Sequence, residues 1–377
     1  MMIRTIMTSL IVLTSTTFLA TSSHANSEKR KLYDEKCTTG VAQACFELGK
    51  VYEQGLGVEK DKLKAKEFHS KACELGDGRG CTNEGFLLEN SEDGGAVLIE
   101  AFALYLTGCE TGSNVGCTNI GRMYEHGRGV KKNLEAAVIY YKLGCEASHV
   151  NGCVNLAAMY WAGRGTAKDE KQAETLLSAA CESDNGRACN NSGVIFEQGG
   201  PVSIDLKKAR VNYEKSCTLN YALGCSNYAL LTRDGKGGAE DLPATISAFQ
   251  KACDGGNIFG CSNLGYHYEV GSGVEQSYPK AVALFEKACE AKSGWSCVQL
   301  GLIYGSGLEG EPGFEVDLKK AVGYYSKACN FDSGRGCYEA ALLGQRGYQG
   351  EGDQRQPSEL KSRACELGYQ ESCNNKS

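Results

Sequence analysis

Lys71-Ala72-Cys73-Glu74-Leu75-Gly76-Asp77-Gly78-Arg79-Gly80-Cys81 decides the fold of this chain, because its pattern recurs. All 20 cysteines fall into pairs of the form Cys-x7-Cys. Cys37 pairs with Cys45, Cys73 with Cys81, Cys109 with Cys117, Cys145 with Cys153 and Cys181 with Cys189. Cys217 pairs with Cys225, Cys253 with Cys261, Cys289 with Cys297, Cys329 with Cys337 and Cys365 with Cys373. Successive pairs start 36 residues apart, with one interval of 40 between Cys289 and Cys329. A period of about 20–50 residues is the sequence signature of a solenoid or array. A length of 377 would otherwise suggest two or three globular domains; the period makes one continuous array the expectation.

The spacing also constrains the local shape. Two residues eight apart on one straight helix lie about 12 Å apart, whereas a disulfide needs Cα atoms within roughly 7 Å. If each pair is bridged, the chain must turn between its members. The intervening residues are rich in Gly, Asp and Asn, which are turn formers. Each pair is then expected to staple the end of one helix to the start of the next, closing a ring of about nine residues. The chain-entropy treatment assigns such a ring about 2.5 kcal/mol. Reduced core cysteines would have no reason to come in strict pairs. Structural zinc favours Cys-x2-4-Cys, often with His, and the chain has no Cys-x-x-Cys and only five His. No metal and no cofactor are expected.

Residues 1–25 read as a secretory signal peptide. Arg4 supplies the positive end, Ile6 to Ala20 the apolar stretch, and Ser23-His24-Ala25 a small-x-small cleavage site. Export to an oxidising compartment is what disulfides require, so a periplasmic or secreted location is expected. No other segment could span a membrane. The 40 Lys+Arg against 46 Asp+Glu give a net charge of −6, which becomes −7 once Arg4 leaves with the signal. That balance argues against a nucleic-acid partner.

Counting from the second cysteine of each pair as position 0, the repeat reads as a helix, a turn and a second helix. The expected layout is a leading helix over 26–37, about nine helix pairs over 44–365 and a tail over 366–377. The turn carries Gly-x-Gly at Gly55 and Gly57, Gly127 and Gly129, Gly163 and Gly165, Gly235 and Gly237, Gly271 and Gly273, and Gly305 and Gly307. Position +4 is always small: Gly49, Gly85, Gly121, Ala157, Gly193, Ala229, Gly265, Gly301 and Ala341. Glycine costs about 1 kcal/mol in a helix relative to alanine, so close helix approach must outweigh that cost. Position +7 is often aromatic (Tyr52, Tyr124, Tyr160, Phe196, Tyr268, Tyr304), and +6 is apolar nearly throughout, with His267 the exception. Positions 0, +4 and +7 share the face that packs a pair together, and +6 belongs to a second buried face, as stacking in a solenoid demands. The 40-residue interval carries its insertion within 306–313, and the least regular stretch, 345–357, reads as a terminal cap.

These repeats resemble the Sel-1-like family, relatives of tetratricopeptide repeats. The Lys71–Cys81 stretch resembles the signature of the Helicobacter cysteine-rich proteins. Lys251-Ala252-Cys253, Lys287-Ala288-Cys289-Glu290 and Lys327-Ala328-Cys329 repeat its opening, and Cys261-Ser262-Asn263-Leu264-Gly265-Tyr266 its close. The resemblance implies an all-α, right-handed superhelical solenoid with one disulfide per repeat, exported from a Gram-negative cell. Some family members are described as weak penicillin-binding proteins or β-lactamases, others as secreted interaction proteins.

The strings of serine β-lactamases all occur: Ser277-Tyr278-Pro279-Lys280, Ser358-Glu359-Leu360-Lys361, Ser183-Asp184-Asn185 and Lys292-Ser293-Gly294. They come in the wrong order. Ser183 and Lys292 are 109 residues apart, on the order of 25 Å or more at about 8–10 Å per helix layer. No catalytic residue is assigned. The histidines His24, His69, His126, His149 and His267 show no partner pattern.

A binding groove is the better expectation, with protein or extended peptide, including cell-wall peptide, as the partner. Asn recurs at +2 (Asn83, Asn119, Asn155, Asn191, Asn227, Asn263), where an amide can pair with a neighbouring repeat or with a bound backbone. Positions +5 and +8 vary, and Phe86, Trp161 and Tyr266 among them complete the candidate groove. Mixed aromatic and acidic character would suit a peptide with basic residues.

Overall fold

The computed structural model describes residues 28–91, 95–199, 203–308, 312–350 and 353–373; the expected signal peptide over 1–25 lies outside them. The described residues are helical, with no strand. The chain divides into two compact units, 1–177 and 178–377. The first holds α1 (28–38), α2 (Ala42–Gln54), α3 (Lys62–Glu74), α4 (Gly78–Glu89), α5 (Gly95–Glu110), α6 (Asn114–His126), α7 (Leu134–Glu146), α8 (Val150–Ala162) and the start of α9 (Glu170–Glu182). The second holds the end of α9, α10 (Gly186–Gln198), α11 (Leu206–Thr218), α12 (Ala222–Arg233), α13 (Leu242–Asp254), α14 (Ile258–Val270), α15 (Tyr278–Glu290), α16 (Gly294–Ser306), α17 (Leu318–Asn330), α18 (Gly334–Gln345), α19 (Pro357–Glu366) and α20 (Gln370–Cys373). Even-numbered helices from α2 to α18 are the first of each pair.

Each cysteine loop is one compact device. The third residue after the first cysteine takes a left-handed conformation in all ten loops: Gly40, Gly76, Gly112, Ser148, Asp184, Asn220, Gly256, Lys292, Asp332 and Gly368. The next residue is extended and starts the following helix. Asp77, Ser113, Asn185, Asn257, Ser293 and Ser333 each cap that helix by accepting a backbone N–H with the side chain. The second cysteine then lies in or next to the new helix's first turn, within reach of the first.

All ten expected bonds are formed. In the first half of the chain Cys37 is bonded to Cys45, Cys73 to Cys81, Cys109 to Cys117, Cys145 to Cys153 and Cys181 to Cys189. In the second half Cys217 is bonded to Cys225, Cys253 to Cys261, Cys289 to Cys297, Cys329 to Cys337 and Cys365 to Cys373. Their Cα–Cα separations run from 4.3 to 4.9 Å, and no cysteine is free. Cys45, Cys81, Cys117, Cys189, Cys225, Cys261, Cys297 and Cys337 are buried where their first helices begin. Cys153 is half-buried at the start of α8.

The two glycines of the Gly-x-Gly turn have different tasks. Gly55, Gly127, Gly163 and Gly271 end their helices in the left-handed conformation, with the N–H returned to a carbonyl of the last turn. At Gly129, Gly165 and Gly237, φ is also positive, and a side chain would overlap the backbone of Leu98, Leu134 and Leu206 in the preceding second helix. Gly305 departs from the expected pattern: it lies inside α16, and Gly307 caps that helix.

The small residue at +4 is explained by what faces it. A Cβ on Gly121 would sit 2.6 Å from Tyr141 Cδ1, one on Gly193 2.6 Å from Tyr213 Cε1, and one on Gly265 2.6 Å from Phe285 Cε1. Those rings, with Tyr105 and Phe249, are among the largest fully buried side chains. At +7, Tyr124 stacks on Tyr140 at 5.7 Å and Tyr304 on Tyr324 at 5.7 Å, closing the pair. Position +6 is buried at Met123, Met159, Ile195, Leu231, His267 and Ile303, and Met123 packs with Leu88 of the preceding repeat. In the 345–357 stretch, buried Asp353 holds Arg355 at 2.7 Å, and Arg355 reaches Asn330 of α17 at 2.7 Å.

Gly121→Ala gives a test with a diagnostic sign. An open helical site would gain about 1 kcal/mol from alanine, but overpacking against Tyr141 is expected to cost about 1–3 kcal/mol. Denaturant unfolding should show a loss, and a gain in stability would contradict the packing assigned to this position.

Candidate functional site

Residues three and four apart on a helix are surface neighbours, so positions −2, +2 and +5 of each first helix share one face. In the first unit these are Arg79, Asn83 and Phe86 on α4, Val115, Asn119 and Arg122 on α6, and Asn151, Asn155 and Ala158 on α8. In the second unit they run through Leu223, Asn227 and Leu230 on α12, Phe259, Asn263 and Tyr266 on α14, and Trp295, Gln299 and Leu302 on α16.

The +2 amides are half-buried and engaged in different ways. Asn83 Nδ2 lies 3.5 Å from His69 Nε2 within its own repeat. Asn227 donates to Asn190 Oδ1 of the preceding repeat at 2.8 Å, Asn190 donates to Asn191 Oδ1 at 3.1 Å, and Asn263 donates to its own helix at Phe259 O, 2.9 Å. Asn119 and Asn155 are half-buried on the same face. Phe86 and Tyr266 are exposed, and Trp161, half-buried at +8, lies under the Lys168 ammonium.

The regular inter-repeat ladder runs one residue earlier, at +1. Thr82 donates to Ser113 at 2.8 Å, Thr118 meets His149 Nδ1 at 2.7 Å, Ser226 donates to Asn257 at 2.9 Å, and Ser262 meets Ser293 at 3.3 Å. Each partner is the residue that starts the next repeat's first helix. The ladder therefore ties the staple of one repeat to the helix start of the next.

Position +8 carries a second pattern absent from the sequence reading. Its glutamate meets a second-helix residue 16 positions on. Tyr105 donates to Glu89 at 2.7 Å, Tyr141 to Glu125 at 2.5 Å and Tyr213 to Glu197 at 2.7 Å. Burial and the neighbouring carboxylate push the Tyr105 and Tyr213 hydroxyls well above the usual phenol range. His69 occupies the same slot, 3.5 Å from Glu53, and burial holds its ring below the ordinary imidazole value. In the first unit the next repeat adds cations: Arg122 at 2.5 Å and Arg128 at 2.7 Å from Glu89, and Arg164 at 2.8 Å from Glu125.

The most exposed aromatic surface lies on α14 and α16. Phe259 is 50%, Tyr266 45% and Trp295 47% exposed. Their inner edges are anchored: Trp295 meets buried Phe285 at 5.6 Å and Tyr266 at 6.5 Å, and Phe259 meets buried Phe249 at 6.5 Å. By helical spacing Asn263 stands between Phe259 and Tyr266 on α14, and Gln299 stands one turn after Trp295 on α16. Phe259 and Trp295 were missed from sequence; their signal is the four-residue step back from the +2 amide. Glu269, at +8 of α14, closes the patch, and its carboxylate contacts Gln299 Nε2 at 3.4 Å.

Three residues of the β-lactamase-like strings make local contacts. Ser183 Oγ donates to Ala179 O of its own helix at 3.1 Å, Ser293 caps α16, and Lys280 lies over the Tyr268 ring at 5.0 Å.

Repeated stapled helix pairs of this kind define a class, the helical repeat scaffolds. The Sel1 repeat matches residues 42–77, 114–149, 150–185, 186–221, 258–293 and 296–330, more than half of the chain, and the protein belongs to the Sel1 repeat family. Among solved structures it is similar to c5321, a protective antigen of uropathogenic Escherichia coli, at 24% identity and TM-score 0.65 over 91% of this chain and 73% of that one. It is also similar to a Sel1 repeat protein from Oxalobacter formigenes, at 18% identity and TM-score 0.59 over 82% and 88%. Cysteine rich protein B of Helicobacter pylori shares 35% identity over 34% of this chain and 93% of its own, at TM-score 0.29. No curated protein matches.

Burial holds the Glu269 carboxyl above the usual carboxylate range, with the Gln299 contact pulling the other way. As pH rises through that range, the folded chain holds a proton here that the unfolded chain has released, so stability falls with rising pH. Glu269→Gln removes this titration. Its melting temperature is expected to decline less than that of the unsubstituted protein between about pH 4 and pH 7; identical profiles would contradict the burial assigned to this carboxyl.

Proposed function

We propose that this protein is an exported, disulfide-stapled repeat scaffold that binds protein or extended-peptide partners along the exposed face of its first helices. The observation that carries the reading is the aromatic and amide patch of α14 and α16, where Phe259, Tyr266 and Trp295 stand exposed around Asn263 and Gln299. Exposed apolar groups gathered in one place mark interaction surfaces, and aromatic side chains dominate binding energy where they are desolvated by a partner. Amides between the rings suit the backbone of an extended chain. The staples support the reading energetically, because a surface ordered before binding loses less freedom on binding.

The ten disulfides fit an oxidising compartment outside the cytoplasm. Together with the leader-like residues 1–25, they support a periplasmic or secreted location, where cell-wall peptides are one class of partner. The runner-up is the weak β-lactamase or penicillin-binding activity implied by the resemblance. Nitrocefin turnover by the purified oxidised protein, abolished by one serine substitution, would put that reading first.

The direct test is selection of extended peptides on immobilised oxidised protein, followed by hydrogen-exchange mapping of a selected peptide. Protection is expected on α12, α14 and α16, and Trp295→Ala or Tyr266→Ala should weaken binding about tenfold or more. Selected peptides that protect only second helices, or bind both variants unchanged, would overturn the assignment of this face.

A further inference from the structure

Glu269 differs from Glu89, Glu125 and Glu197, its counterparts at +8, in the residues that surround it. At the equivalent position of the first unit, Glu89 receives the Tyr105 hydroxyl and the guanidinium groups of Arg122 and Arg128. Glu125 receives the Tyr141 hydroxyl and Arg164. Glu197 keeps the tyrosine partner, Tyr213. Around Glu269 all three supplying positions have changed: Phe285 stands where the tyrosine would be, Leu302 where Arg122 would be, and Leu308 where Arg128 and Arg164 would be. Among the described residues its carboxylate is reached by the Gln299 amide at 3.4 Å, and no ion pair is formed. A half-buried carboxylate without a cation is unfavourable unless something completes it.

One helical turn before this carboxylate on α14, the exposed Tyr266 ring meets the exposed Trp295 ring of α16 edge to face. Tyr266 lies three residues before Glu269 on α14, and Trp295 lies four before Gln299 on α16, with the two rings 6.5 Å apart. A planar guanidinium pairs with a carboxylate through two hydrogen bonds and stacks on aromatic faces. An ammonium offers the charge without the planar match. Around Glu89 and Glu125 the chain itself fills the equivalent slots with arginine.

We infer that Glu269, Tyr266, Trp295 and Gln299 form a receptor for an arginine side chain presented by an extended peptide, which supplies the cation that Arg122, Arg128 and Arg164 supply internally elsewhere. The inference rests on the peptide-binding reading above and specifies its chemistry. The ligand arginine lies across the Tyr266 and Trp295 rings with its guanidinium against the Glu269 carboxylate, and its backbone runs past the Asn263 and Gln299 amides.

The test uses the full oxidised protein and a random library of extended, end-blocked peptides. Arginine is expected to be enriched at one position of the selected sequences. Replacing that arginine by citrulline, or introducing Glu269→Gln, should each weaken binding about tenfold or more, the scale of a lost charged hydrogen-bond pair. Leu302→Arg rebuilds the internal cation at the Arg122 position and should block the same peptides while leaving the fold intact by melting temperature. Selected peptides without arginine, or with lysine equally enriched, would overturn the arginine receptor and leave the binding face standing. Arginine peptides indifferent to both Glu269→Gln and Leu302→Arg would also overturn it. A library that yields no binder would overturn both the receptor and the peptide-binding reading.

Discussion

The disulfide across each interhelical turn is the constraint on which the rest of the molecule depends. It closes a short ring that contains a left-handed residue, a helix start and a helix end, so the direction of the next helix is fixed within a few residues. At five of the ten loops the left-handed position is not glycine but Ser148, Asp184, Asn220, Lys292 or Asp332. L-residues other than Asn and Asp reach that conformation at a cost of about 1–2 kcal/mol. The covalent ring holds it there. Because every cross-link is local, none ties distant parts of the chain together; within each unit, neighbouring repeats meet through packing, the +1 ladder and a few further polar contacts, such as Glu89 with Arg122 and Asn227 with Asn190.

That division of labour frees one face of the first helices. Positions 0, +4, +6 and +7 are committed to the pair and to the stack, and +1 to the next repeat. Positions −2, +2 and +5 follow no single rule: Asn227 bonds the preceding repeat and Arg122 pairs with Glu89, while elsewhere the residues diverge, with arginine and phenylalanine on α4, phenylalanine and tyrosine on α14, and tryptophan and leucine on α16. The +8 carboxylate lies at the border between these two sets. Where a tyrosine and an arginine complete it, as at Glu89, it is structural; where they are replaced, as at Glu269, it faces the exposed patch.

Much of the fold was legible in the sequence because its signals repeat at one period. The Cys-x7-Cys loop, the small +4 residue and the +7 aromatic each mark a position where only a narrow set of side chains fits, as the overlap of a Gly121 side chain with Tyr141 makes plain. The polar contacts were less legible. The Asn at +2 is conspicuous, yet the regular ladder uses Thr82, Thr118, Ser226 and Ser262, hydroxyl residues whose partners lie 31 positions on in another repeat. The Tyr–Glu pairs, 16 apart, likewise join the two helices of a pair across a turn of variable composition. Phe259 and Trp295 escaped notice because they precede the cysteine from which the helix was counted. At the candidate site, Tyr266 and Asn263 were legible from their spacing; the missing cation at Glu269 emerges only when its neighbours are compared with those of Glu89.

The central claim is that the cysteines act within turns and nowhere else. Proteolysis of the exported protein under non-reducing conditions, followed by mass spectrometry of the linked peptides, tests it directly. Ten linkages are expected, each joining the two cysteines of one Cys-x7-Cys loop, with no free thiol. A linkage between different loops, or a substantial population of reduced cysteines, would contradict it.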